Sequence, residues 1–308
     1  MESVKIGNEK KQLNLPWIHH LIHQPEFAEQ CDKWQEFEGS DWAMLLSYRP
    51  QFAERCDKWK DFDSINWCDL LYAQPQFADK CDKWDEFDGT IWAILLSAQP
   101  QFADKCDKWQ EINGDDWSEL LYDQPQFADK CDKWQEINGN YWSELLHVQP
   151  QFADKCNKWN EFYGDDWCLL LQNQPQFADK CDWNKLCGSN WQQLLEEQPQ
   201  FADKCDKWDE FSGWHWNQLL CFQPQFANKC NWDKLNGSDW SDLLCKQPQF
   251  ADKCDKWQEF NTWNWIKLLC KQPQFAEKCD KWEKLDDGEW QELLSKQLQF
   301  AEKCKDFN

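Results

Sequence analysis

The sequence predicts an all-α solenoid of about twelve units of 24–25 residues, each built from two short helices, the second closing on a last turn or a 3₁₀ segment. Three observations predict it. Proline recurs at Pro25, Pro50, Pro75, Pro100, Pro125, Pro150, Pro175, Pro199, Pro224, Pro248 and Pro273, a period of 25 that shortens to 24 in places. Around each, a phrase close to Gln-Pro-Gln-Phe-Ala-Asp-Lys-Cys-Asp-Lys-Trp is repeated. Between phrases stands Trp-x-x-Leu-Leu, with apolar residues at i, i+3 and i+4 of a helical face.

The first helix of a unit opens at Gly-Ser-Asp or Gly-Asp-Asp, as in Gly237 to Leu244. Asp116 with Glu119 has capping-box spacing, which predicts Asp116 as the cap. The second helix opens at the Pro, whose missing N–H has no partner to lose at a first helical position. Phe52 and Cys56 lie four apart beside Ala53, so one side of this helix is apolar, and Trp59 to Phe62 reads as its last turn or a 3₁₀ tail. Two units lose a residue just after Cys181 and Cys230, a deletion that marks a loop or helix end.

Helices this short are marginal alone, so each unit must cover the apolar face of its neighbour, in a superhelical stack with atypical end units. The first unit reads Trp17-Ile18-His19-His20-Leu21-Ile22, and the last replaces Pro by Leu298 and runs out at Phe307-Asn308. The reading is therefore a polar lead over 1–15 and one continuous array over 16–308. Through its Trp-x-x-Leu-Leu and Gln-Pro-Gln-Phe elements the chain resembles the leucine-rich-variant type of short helical repeat, a likeness of architecture and unit length over nearly the whole chain. It departs from that type in having no Cys before Cys31, so nothing corresponds to the iron–sulfur module that accompanies some members. What the resemblance implies is a binding scaffold.

Lys and Arg number 33 against 56 Asp and Glu, a net charge of −23, which repels free nucleic acid and anionic membrane surfaces and favours a neutral or basic protein partner. Apolar runs such as Cys168 to Leu171 are far shorter than the roughly 18–20 residues of a membrane span. The polar opening MESVKIGNEKKQLNLPW lacks the apolar core of a signal peptide, so a cytoplasmic location is expected.

Chemistry-bearing residues are numerous but periodic. Twelve of the 18 Cys share one register, from Cys31 to Cys304, about 8–10 Å apart in stacked helices and thus too far for a disulfide ladder. They read as small buried residues under the Phe. Of 25 Trp, twelve precede the Leu pair and eleven follow the Cys, positions that suit a core; Trp214 and Trp263 are out of register, in the loop before the first helix. His19 and His23 are four apart, as in a metal site, without a third ligand nearby in sequence. The repeated Asp and Lys read as a compensated solvent face. With no phosphate loop, nucleophile elbow or His-Glu-x-x-His, and no cofactor implied, no enzyme is expected.

Binding information should lie where units differ. The variable positions are one before the Trp and two, five and six after it, which gather opposite the apolar face of the first helix. They carry Met44, Tyr48, Tyr72, Ile94, Tyr122, Tyr141, Val148, Leu169 and Phe222; with Trp214 and Trp263 these are the candidate partner-binding residues, while Lys246, Lys267, Lys271 and Lys296 mark the carboxy-terminal end. The expected function is a protein-interaction scaffold gripping its partner through this face. An acidic mimic that inhibits a DNA- or RNA-binding protein and a Trp-rich carbohydrate-binding module are the alternatives; oligomeric state stays open.

Overall fold

The computed structural model describes residues 15–307. The protein is a helical repeat protein, and no strand occurs among the described residues. It divides into two compact units, Met1–Glu161 and Phe162–Asn308. In the first lie α1 (Leu15–His23), α2 (Gly39–Tyr48), α3 (Ser64–Ala73), α4 (Gly89–Ala98), α5 (Gly114–Asp123) and α6 (Gly139–Val148). In the second lie α7 (Gly164–Asn173), α8 (Gly188–Glu197), α9 (Gly213–Phe222), α10 (Gly237–Lys246), α11 (Thr262–Lys271), α12 (Asp287–Lys296) and α13 (Ala301–Phe307). Within each unit successive first helices pack side by side.

The second helix is a six-residue 3₁₀ helix, such as Pro50–Arg55, rather than an amphipathic α-helix. It ends because the Cys56 N–H bonds the Ala53 carbonyl while Cys56 itself turns extended, at φ −78° and ψ 117°. A second 3₁₀ piece, Trp59–Asp61, follows, where the sequence places the tail. Phe52 and Cys56 are both buried, as the spacing requires.

Caps sit one turn earlier than Asp116 suggests. The α5 cap is Asn113, whose Oδ1 accepts the Asp116 N–H at 2.9 Å, and Asp116 occupies the third helical position. The reason is that Gly is tolerated at the first helical position, so Gly-Asp-Asp lies inside the helix.

Four residue types join neighbours. Trp42, Trp67, Trp92, Trp117 and Trp142 in the first unit, and Trp191, Trp216, Trp240 and Trp265 in the second, are buried with the Leu pairs. Truncating one to Ala in such a core costs about 3–5 kcal/mol. The Trp after each Cys stacks on the buried Trp that follows it, as Trp59 on Trp67 at 5.7 Å and 19°, and touches the next Phe, as Trp59 does Phe77 at 5.5 Å. Lys completes this contact from the next repeat: Lys80 lies 4.9 Å from the Trp59 ring centroid and Lys105 5.0 Å from that of Trp84.

The Gln before each Pro is the third joint. Gln74 Nε2 donates to the Ser47 carbonyl at 2.7 Å, Gln99 to Tyr72 at 2.6 Å and Gln149 to Tyr122 at 2.9 Å. The second unit repeats it, with Gln198 on Gln172 at 2.6 Å and Gln247 on Cys221 at 2.9 Å. Each carbonyl belongs to the last turn of the preceding helix, where no intrahelical donor remains. The second Gln of the phrase holds the first in place: Gln76 Nε2 donates to Gln74 Oε1 at 2.9 Å.

Glycine is the fourth, because the following repeat's 3₁₀ tail runs against the helix start. A Cβ on Gly89 would meet the Glu111 carbonyl oxygen at 2.2 Å, and one on Gly213 the Lys234 oxygen at 2.2 Å. Gly288, by contrast, would meet only Asp286 Oδ1, at 3.3 Å.

Two outcomes check this frame by denaturant unfolding. Gly89→Ala should destabilise by about 1–3 kcal/mol despite the better helix propensity of Ala, since backbone must move, whereas Gly288→Ala should be neutral or stabilising. Gln74→Leu should cost about 1 kcal/mol by stranding the Ser47 carbonyl; equal stability with the wild type would show that water replaces the amide.

Candidate functional site

The variable face is solvent-exposed on both units. On the first, Met44, Tyr48, Tyr72, Ile94, Tyr122 and Val148 project from α2 to α6, with Tyr48 66 % exposed. On the second, Leu169 projects from α7 and Phe222 from α9. Tyr141 is half-buried instead, as are its counterparts one before the Trp, such as Asp41, Asn66, Ile91 and Asp116, a position in the first turn of each helix.

Trp214 and Trp263 are exposed, at 55 % and 58 %. They sit in the first helical turns of α9 and α11 rather than in the preceding loops, since the caps are Ser212 and Asn261. At about 100° per residue, two before the Trp falls at about 160°, inside the arc of about 140–260° spanned by the variable positions. Ile65, 60 % exposed, occupies the same register on α3 and is not among the residues the sequence points to; its match to Trp214 and Trp263 is the available signal. Tyr163, also exposed, stands at the α7 cap, and Leu298 at the Pro position.

The two units differ in how this face is compensated. On the second, Lys246 Nζ lies 4.3 Å from the Phe222 ring centroid, and Lys267 pairs with Asp242. The first unit has a cleft of about 330 Å³ between α5 and α6, lined by Ser118, Glu119, Tyr122, Asp123, Tyr141, Glu144 and Leu145. Its lining holds three carboxylates and two phenols but no Lys or Arg. Ser118 is buried at its floor and turns its hydroxyl back to the Asp115 carbonyl, 2.7 Å away.

Elsewhere, repeated charges are engaged with the frame. Lys83 pairs with Glu86 at 2.5 Å and Lys133 with Glu136 at 3.1 Å, while Lys108 Nζ donates to the Asp85 carbonyl at 2.8 Å. Half-buried in-register rings such as Trp59 and Trp84 already meet a Trp, a Phe and a cation, so they offer no open platform for a sugar. His19 and His23 have ring centroids 4.4 Å apart. Among the described residues no three His, Cys, Asp or Glu side chains converge as a metal site, and no helix is long and apolar enough to cross a membrane.

The repeated thiols are placed for packing. Cys56, Cys81, Cys106, Cys131 and Cys156 are buried, and desolvation pushes each up to about 11, because a thiolate there would lose its water. Cys68, more deeply placed, is pushed up to about 12. Cys187 is exposed.

No protein-family model, curated protein or solved structure matches the chain.

The thiols give a pH prediction. A group whose native pKa is raised stabilises fully below its unfolded value, here 9.0, and loses that contribution as pH climbs through the native value. The unfolding midpoint should therefore fall between about pH 9 and 11, with thiolate ultraviolet absorbance rising as the chain unfolds. Thiolate absorbance from most of the thiols at about pH 9 in a folded Cys187→Ser variant would contradict the burial.

Proposed function

We propose that the protein is a non-enzymatic interaction scaffold that grips a protein partner through the exposed face of α2–α6. The observation that carries this reading is the placement of Met44, Tyr48, Tyr72, Ile94, Tyr122 and Val148 in solvent, on helices whose other faces barely vary. Packing demands no large apolar residue there, and such side chains, Tyr above all, are the usual anchors of protein interfaces. What distinguishes one repeat from the next is thus side chains suited to binding, while the carboxylates, amides and lysines that recur belong to the frame. The net charge of −23 favours a neutral or basic partner in a setting free of competing polyanions.

The test compares the wild-type chain with a triple variant, Tyr48→Ala, Tyr72→Ala and Ile94→Ala, as bait in a lysate at high salt. The variant should keep its circular dichroism and Tm yet lose the proteins the wild type retains. Identical capture by both would remove this face from consideration. Partners released from the wild type by salt and displaced by DNA would favour the acidic nucleic-acid mimic.

A further inference from the structure

We infer that His215 is a proton-operated joint in the second unit: neutral, it closes the cap of α9 and ties it to α8, and on protonation it gives up that cap and loosens the helical turn that presents Trp214. The inference stands apart from the binding reading of α2–α6. Its basis is the residue three after each cap, one before the buried Trp, whose side chain accepts the N–H of the cap residue and completes a capping box. Asp41, Asn66, Asn190, Asp239 and Asn264 do this with a carboxylate or amide oxygen, at 2.9 to 3.4 Å. In α9 the acceptor is an imidazole nitrogen. The Ser212 N–H donates to His215 Nδ1 at 3.0 Å, and Ser212 Oγ accepts the His215 N–H at 3.4 Å.

This bond decides the tautomer. A neutral imidazole has one nitrogen lone pair to offer, and Nδ1 gives it to the Ser212 N–H, so the proton sits on Nε2, 3.1 Å from Ser189 Oγ in the first turn of α8. Nε2 therefore donates to Ser189, and the ring spans two helix starts. An oxygen acceptor keeps a lone pair when its group takes up a proton, whereas Nδ1 has none left. The imidazolium sets Nδ1–H against the Ser212 N–H; Ser212 Oγ, 2.9 Å from Nδ1, relieves the ring but not the backbone donor. Charge compounds the loss. The cation stands in the first turn of α9, where the helix dipole repels it, and Lys234 faces it from the 3₁₀ tail before α10. Nearby carboxylates are engaged with backbone, Glu210 with the Gly188 N–H and Asp239 with the Asn236 N–H. Burial first and Lys234 second hold the His215 pKa below the ordinary 6.5. Trp214, exposed, has its ring 5.3 Å from the imidazole.

The stabilisation is complete above pH 6.5, where the ring is neutral in folded and unfolded chains alike, and is lost as pH falls from there through the lower native value. The test is an NMR titration of the full-length ¹⁵N-labelled protein from about pH 8 to about pH 5, with the Trp214 indole signal assigned by Trp214→Phe. His215→Asn is the comparison, since Asn holds this position in α3, α8 and α11 and keeps the cap. Expected are ring ¹⁵N shifts of the Nε2–H tautomer at the high end, a His215 midpoint below 6.5, and Ser212 amide and Trp214 indole signals that move with that midpoint. Over the same range the wild type should lose about 2–4 °C more in Tm than His215→Asn, whose carboxylates titrate alike. The joint is overturned by the Nδ1–H tautomer, by a midpoint at or above 6.5, by Ser212 and Trp214 signals that ignore the midpoint, or by equal pH dependence of Tm in the two proteins. The NMR outcomes come from the wild type and decide the matter even where the variant fails to fold.

Discussion

A ten-residue helix leaves its last-turn carbonyls without donors and one whole face without cover, and in this protein the next repeat supplies both. The Gln side chain before each Pro reaches back to a carbonyl such as that of Ser47 or Cys221, and the Phe that follows packs on the Trp of the preceding repeat. Because a helix of this length is marginal in water, these joints decide whether the repeat is folded at all. That dependence explains why the Gln-Pro-Gln-Phe phrase hardly varies: the first Gln is the clamp, the second orients it, the Pro starts the 3₁₀ turn and the Phe is buried or half-buried against the Trp of the preceding repeat.

The same joints settle what the abundant reactive side chains are doing. Cys, Trp and Lys recur because neighbouring repeats need them: the thiol fills a small space, the indoles stack, and Lys80 or Lys105 lies over a ring of the previous repeat. Buried indole N–H groups, at Trp42 and Trp67 for example, even go without a hydrogen-bond acceptor, a cost of about 1–3 kcal/mol each that the surrounding aromatic packing must offset. Side chains so constrained are unavailable to a ligand. That leaves open the one helical face that no neighbour covers, on which the proposed function rests.

That face is used differently in the two units. Around α9–α11, aromatic and acidic groups are matched by lysines of the same unit, as Phe222 is by Lys246. Between α5 and α6 the tyrosines and carboxylates have no such match among the lining residues. Compensated surface gains little from a charged partner, whereas uncompensated surface gains the whole interaction less desolvation.

Periodicity alone determined the helix class, the unit length, the core Trp and Leu positions and most of the exposed stripe, because burial on a helix follows spacing, and spacing can be counted. The tail near Trp59 was legible in the same way. The six residues from each Pro were not legible as 3₁₀, since the four-residue spacing of Phe52 and Cys56 suits one face of an α-helix, whereas Cys56 lies just past the 3₁₀ helix on extended backbone and is buried from there. The cap at Asn113, the Gln clamps and the close approach at Gly89 are likewise products of packing, set by a neighbouring backbone about 25 residues away in sequence. Tyr141 shows the limit most clearly: counting placed its register on the variable face, but every residue one before the Trp, from Asp41 to Glu289, is half-buried or buried, because the stacking of repeats turns that side of the helix start away from solvent, and that is decided only in three dimensions.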